Sequence, residues 1–327
     1  MSNNALVNLH IHTFFSDGKR STLDVFKGAR DAGVSYFAIT DHDTYVALSP
    51  DQLGYFSEKS FVTIPVESNP GVLNWEHLTA LRGVELTFIH RGRQMHMIGL
   101  GLNYPGQDEL DRCDELKSVR HNRIISLANE INQRNDGIYS GLTIELDELM
   151  RETKDSVPSR YHLGYLIAKK FPGMTTYHAT THYVAPNLES YAIQTDLLPD
   201  FKDAVNIIHS LGGVAILPHL GRNKLPGIGD GLEEEILFMY EHGLDGIEIQ
   251  TGRGKQENVK INNSYLMMAH NLNNDALRNS NRKLLISLGS DDHGMYDSCE
   301  KLIGLSIPSG FSSMVIDIME RMKTYRA

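Results

Sequence analysis

Apolar residues fall along the chain in two alternating patterns: short unbroken runs, and stretches spaced three and four apart. The runs at 5–11 and 34–39 read as buried strands, and residues 23–32 between them have helical spacing that stops at Gly33. Residues 81–88 and 95–101 read as two further strands, joined through Arg91-Gly92-Arg93. The texture then changes. Residues 109–134 form a long polar helix in which Leu116, Ile124, Leu127 and Ile131 recur at roughly helical spacing, and helices at 142–153 and 161–171 follow. The alternation resumes with helices at 201–211, 233–242 and 259–273 and strands at 213–217, 246–249 and 284–288. Such alternation marks a parallel α/β sheet. The expectation is a barrel-like α/β domain assembled from residues 1–103 and 191–327, interrupted by a helical insertion domain at 104–190. Segment 49–80 reads as loop and short helix, and its single tryptophan, Trp75, is given no role.

Composition changes this picture only at its edges. The 327 residues are 41% hydrophobic and 22% charged, which is ordinary for a folded chain and excludes wholesale disorder. No window approaches the roughly 18 consecutive apolar residues of a membrane span. Met1-Ser2-Asn3-Asn4 lacks the basic start and apolar run of a secretory signal, so no membrane partner and a cytoplasmic location are expected. Cys113 and Cys299 lie far apart and read as free thiols. Lys and Arg number 31 against 41 Asp and Glu, a net charge of −10 that disfavours long duplex nucleic acid as a partner.

The 15 histidines are not scattered. Alternate residues of a strand share a face, so His10 and His12 point the same way, at the strand end where barrel enzymes carry their active residues. Asp17 falls in the loop that follows. His42 comes after the second strand, Glu85 lies within Arg82-Gly83-Val84-Glu85-Leu86, and His96 interrupts an apolar run. His219 closes a strand after Pro218, and Asp291 and His293 follow the last one, again two residues apart. One histidine at a strand end is ordinarily a hydrogen-bonded core residue. Nine nitrogen and oxygen donors gathered at strand ends instead point to metal. Six imidazoles and three carboxylates without cysteine suit catalytic Zn, Mn or Fe rather than a structural zinc.

These motifs carry a resemblance. Leu9-His10-Ile11-His12-Thr13 with Ser16-Asp17-Gly18, then Ile39-Thr40-Asp41-His42-Asp43, resembles the opening of the polymerase and histidinol phosphatase (PHP) superfamily. Gly83-Val84-Glu85, Met95-His96-Met97, Pro218-His219 and Gly289-Ser290-Asp291-Asp292-His293 resemble its remaining motifs, in order. The match is best with the branch of metal-dependent phosphoesterases that act on nucleotides and short nucleic acids, which also carries a mid-chain helical insertion. The resemblance implies a distorted (β/α)7 barrel holding up to three divalent ions, Mn, Fe or Zn. His10, His12, Glu85 and Asp291 would hold the first. Glu85 would bridge to a second, completed by His96 and His219, and Asp17, His42 and His293 would hold a third. His219-Leu220 stands where the family usually has His-Pro, and Tyr161 replaces a proline in Ser159-Arg160-Tyr161-His162.

The implied activity is hydrolysis of phosphate esters by metal-bound hydroxide, on nucleotides such as 3′,5′-bisphosphonucleotides or on the 5′ ends of short oligonucleotides. Arg160, His162 and Arg222 are the candidate phosphate-binding residues, because a planar guanidinium fork grips phosphoryl oxygens. Arg120 and Arg123, on the long helix, read equally as a solvated face. No side chain presents itself as general acid. The alternatives are a histidinol-phosphate-type phosphatase, an amidohydrolase-like enzyme and a non-catalytic PHP binding module. The size of the insertion counts against the first. Asp17 and His42 as a third-metal pair count against the second, and the full ligand set counts against the last.

Overall fold

The structure, a computed structural model, describes residues 5–53, 71–75, 78–134, 136–154, 156–184, 188–191, 196–220, 225, 229–250, 262–278, 280, 282–294, 304–307 and 313–326. Strand β1 (Leu6–Ile11), helix α1 (Thr22–Asp31) and strand β2 (Val34–Ile39) open the fold. Helix α1 starts where Ser21 and Asp24 cap each other, and it buries Val25, Phe26 and Ala29. Phe26 meets Phe37 of β2 edge to face, with ring centroids 4.9 Å apart. Strands β3 (Val72–Trp75), β4 (Leu78–His90) and β5 (Arg93–Leu100) follow.

The helical stretch comprises α2 (Gln107–Gln133), α3 (Leu146–Thr153), α4 (Arg160–Lys170) and α5 (Thr176–Tyr183). Ile124, Leu127 and Ile131 of α2 pack with Leu149, Leu163, Leu166, Ile167 and Ala179 into a small core of their own. Helices α6 (Phe201–Ser210), α7 (Leu232–Glu241) and α8 (Asn263–Asn274) then alternate with β6 (Val214–Leu217), β7 (Gly246–Gln250) and β8 (Leu285–Gly289). A short β9 (Leu305–Ser306) and α9 (Met314–Thr324) close the described chain.

The sheet runs β8-β7-β6-β5-β4-β2-β1-β9, with β3 paired to β4. It comes back on itself where Ile11 bridges Asp292: the His12 N–H donates to the Asp292 carbonyl at 2.9 Å. Seven strands thus form a nearly closed barrel, with β9 and β3 at its margins. Two expectations need correction. The sheet is mixed, not parallel: β5 is antiparallel to both β4 and β6, because Arg91 and Gly92 make a two-residue hairpin turn with φ of +49° and +73°. Residues 72–75, read as loop, form β3, which completes its ladder only by pairing with β4. No helix among the described residues is long and apolar enough to cross a membrane.

Candidate metal centre

Every one of the nine donor residues reaches the same end of the barrel, though by different routes. His10 points inward from β1, and His12 lies just past the strand end. Asp17 is brought back by the turn from Thr13 to Gly18, where the Gly18 N–H donates to the Thr13 carbonyl at 2.9 Å. A Cβ on Gly18 would lie 2.4 Å from the His12 carbonyl oxygen, so the turn admits only glycine without a shift. Asp41 clamps this turn, accepting from the Thr13 N–H (2.7 Å), the Thr13 hydroxyl (2.6 Å) and the Ser16 hydroxyl (2.6 Å). Glu85 and His96 are not at strand ends. They sit inside β4 and β5, which overrun the barrel as a hairpin, and the reversed direction of β5 puts its early residues at the site.

The backbone is strained where it delivers these groups. Of the four non-glycine residues with positive φ among the described residues, His219 (+33°), Asp291 (+53°) and Asp43 (+47°) stand at this rim. Such conformations cost on the order of 1–3 kcal/mol each and persist where the surroundings enforce them.

Glu85, fully buried, is the centre of the arrangement. Its Oε2 lies 3.2 Å from His10 Nε2, 3.0 Å from His12 Nε2 and 3.3 Å from His42 Nδ1. Its Oε1 lies 2.9 Å from His96 Nδ1 and 2.8 Å from His219 Nε2. Asp291 Oδ1 stands 3.5 Å from His10 Nε2 and 3.3 Å from His12 Nε2. Asp17 Oδ1 stands 3.2 Å from His293 Nε2, and its Oδ2 3.7 Å from His42 Nε2. Donor atoms close enough to share one cation form three groups: His10, His12, Glu85 and Asp291; His12, Asp17, His42 and His293; and His42, Glu85 and His96. The first is the set implied by the motifs. The other two differ in that His12 and His42 each stand in two groups, and His219, whose Nε2 faces Glu85 Oε1, stands in none of the three.

The donor set fits divalent cations. His42 Nδ1 and His293 Nε2 are buried and face the Glu85 and Asp17 carboxylates, yet neither makes a hydrogen bond among the described residues. Such orphaned atoms are costly unless something else accepts their lone pairs. The field is cation-seeking as well. Burial opposes protonation of His10, yet Glu248, Glu85 and Asp291 outweigh it and raise its pKa to about 10. Burial, with His12 and His96 adding to it, pushes His42 the other way, to about 3. Burial favours the neutral form of Asp17, but the imidazoles of His293 and His42 hold it well below the usual carboxylate range.

The candidate phosphate residues are placed unequally. Arg160 opens α4 and lies over the Tyr191 ring, 4.4 Å from its centroid, with Nη1 donating to the Tyr191 hydroxyl. Next to it, the Tyr161 ring sits 5.0 Å from that of His293, so the first turn of α4 abuts the site. His162 is buried and spends both ring nitrogens on the helix cap: Nδ1 accepts from the Ser159 N–H at 3.1 Å and Nε2 lies 3.3 Å from the Ser156 hydroxyl. Arg222 lies outside the described residues, as does Cys299. Arg120 is not a solvated charge. It is buried against Asp43 and the Thr87 hydroxyl, which fixes the loop carrying His42. Arg123 donates to the Tyr191 carbonyl, and burial beside Arg120 and Arg160 lowers it to about 9.

Sequence reasoning missed Glu248. It is 1% exposed, and its Oε2 lies 2.8 Å from His10 Nδ1. The available signal was a lone acid inside the apolar run of β7.

A nearly closed barrel of seven strands, with six imidazoles and three carboxylates converging inside one rim, is a fold of the PHP type. No family model matches the chain, but individual proteins do. It is 24% identical over 246 residues to phosphoribosyl 1,2-cyclic phosphate 1,2-diphosphodiesterase of Eggerthella lenta, covering 74% of this chain and 81% of that one. It is 22% identical over 244 residues to the 5′-3′ exoribonuclease Rnm of Escherichia coli, with 75% and 74% covered. It is 24% identical over 250 residues to the 3′,5′-nucleoside bisphosphate phosphatase of Chromobacterium violaceum, with 76% and 78% covered. Among solved structures it matches a protein described as a metal-dependent phosphoesterase from Bifidobacterium adolescentis, with a TM-score of 0.69, 20% identity and 96% of each chain covered. These relatives are hydrolases of phosphate esters, and the likenesses bear out the PHP resemblance read from the motifs.

Proposed function

We propose that this chain is a metal-dependent phosphoesterase acting on small phosphorylated nucleotides or on the 5′ ends of short oligonucleotides. The observation that carries the reading is Glu85, whose two oxygens face separate sets of imidazoles as a bridging carboxylate must. His10, His12, Glu85 and Asp291 would hold one cation, and Asp17, His42 and His293, with His12 alongside, another. His42, Glu85 and His96, with His219 on the same Glu85 oxygen, would hold a third. Mn, Fe and Zn all suit this donor set. Bound cations would supply neutralisation of the phosphoryl oxygens and acidification of water near neutral pH.

The protein supplies the rest. Asp41, and Asp43 with Arg120, lock the loops that carry Asp17 and His42, so the donors are held before any ligand arrives. Residues 104–190 form a capping domain whose α4 presents Arg160 to a phosphate distinct from the one cleaved. His162 serves Arg160 by fixing the first turn of α4. The net charge of −10 leaves the outer surface unsuited to long duplexes, which keeps selection for small anions or strand ends at the pocket.

The test is elemental analysis after loading with excess Mn or Fe, joined to a phosphate-release screen over nucleotides. Up to three ions and a bisphosphate preferred over its monophosphate in kcat/KM are expected, with Arg160→Ala narrowing that preference. No more than one ion would sink the multi-metal reading. Equal rates on both substrates would remove the second-phosphate site.

A further inference from the structure

Glu248 stands behind the candidate ligands, and each of its oxygens has a partner. Oε2 lies 2.8 Å from His10 Nδ1, and Oε1 receives the backbone N–H of His219 at 3.3 Å. A carboxylate only accepts, so the hydrogen of this bond sits on His10 Nδ1. The other ring nitrogen is thereby turned into the cluster, where Nε2 is 3.1 Å from His12 Nε2 and 3.2 Å from Glu85 Oε2. The second contact holds the backbone at His219, whose φ of +33° a non-glycine residue rarely adopts unaided. The neighbouring strand leaves room for both. Gly289 of β8 lies between β7 and β1, and a Cβ there would fall 2.3 Å from Glu248 Oε2 and 2.3 Å from His10 Cβ.

We propose that Glu248 is a positioning residue for the metal centre: through one carboxylate it sets the ring of His10 and the backbone of His219. This rests on the metal reading above. Glu248 reaches the reacting atoms only through those two histidines. A hydrogen-bonded carboxylate behind a ligating imidazole is worth about 10–100-fold in metal affinity. That loss is expected at the group containing His10 and not at the group built on Asp17, His42 and His293.

The experiment is calorimetric titration of Mn²⁺ and of Zn²⁺ into metal-stripped full-length protein, with far-UV circular dichroism as the folding check. Glu248→Gln keeps the shape but cannot accept at both ends. Glu248→Asp keeps the charge and shortens the reach, and is measured alongside. Both variants should weaken one class of ion by about 10–100-fold and leave another at wild-type affinity. Folded variants that bind every ion as the wild type does would overturn the role of Glu248. A wild-type protein that binds no ion would instead overturn the metal reading itself, so the two failures are distinguishable.

Discussion

At Glu85, burial and charge pull in opposite directions. Burial favours the neutral acid, while the imidazoles of His42, His96 and His10 hold the carboxyl well below the usual range. The anion is retained because it is the shared partner of five rings. Glu85→Ala therefore removes what lets those rings crowd together, and cations with it. Several kcal/mol of charge stabilisation lost at the reacting oxygens corresponds to a rate loss of about a thousandfold or more. Asp17→Ala should disturb one group only, so elemental analysis should find more metal left in it than in Glu85→Ala. Near-normal phosphate release from a folded Glu85→Ala protein would show that the donor map is wrong. The nine donors were legible because they come in repeating pairs and motifs that no packing pattern explains. Glu248 was not, because one acid in an apolar strand has no partner in sequence; its partners are His10 of β1 and His219, two residues past the end of β6.

Helix α4 shows how an element carries a residue into place. The Ser159 hydroxyl accepts from the Tyr161 N–H at 3.1 Å, and His162 returns the bond at the third helical position. Losing such a cap costs about 1 kcal/mol. In a chain of this size, Ser159→Ala should lower the melting temperature by about 2 °C. It should also raise KM for a bisphosphate more than for a monophosphate, since Arg160 is the first residue of the helix. An unchanged melt and unchanged KM would assign the anchoring to Tyr191 instead. Periodicity found α4 to within a residue at either end, and it found the long α2 because its buried residues repeat. It missed β3, where four residues become a strand only against β4, and it passed over α9. Strand direction was equally hidden. The turn at Arg91-Gly92 was visible, but the consequence that β5 runs against its neighbours, which brings His96 to the rim, belongs to the closed sheet.

The whole barrel has a second end, and Asp245 holds it. Lying just before β7, it accepts from His209 Nε2 (2.7 Å), the Ala215 N–H (2.9 Å), Arg321 Nη1 (2.9 Å) and the Tyr325 hydroxyl (2.7 Å). These contacts tie β6, α6 and α9 to one buried carboxylate, and the His209 and Tyr325 rings stack beside it at 3.8 Å. Burial raises the pKa of Asp245, but hydrogen bonding to His209 and the His209 charge, then the Ala215 N–H and Tyr325, bring it below the ordinary value of 3.8. A carboxyl whose folded pKa is depressed contributes stability that is fully present above its unfolded pKa. That stability is lost as pH falls through the folded value. Asp245→Asn should thus be less stable than wild type at neutral pH, and the urea midpoints of the two proteins should converge only below about pH 4. The centre at the other rim should be left in place, so the folded variant should retain its metal content. A gap in urea midpoint that stayed constant from pH 7 to pH 3 would show that Asp245 acts through packing, with no contribution from its charge.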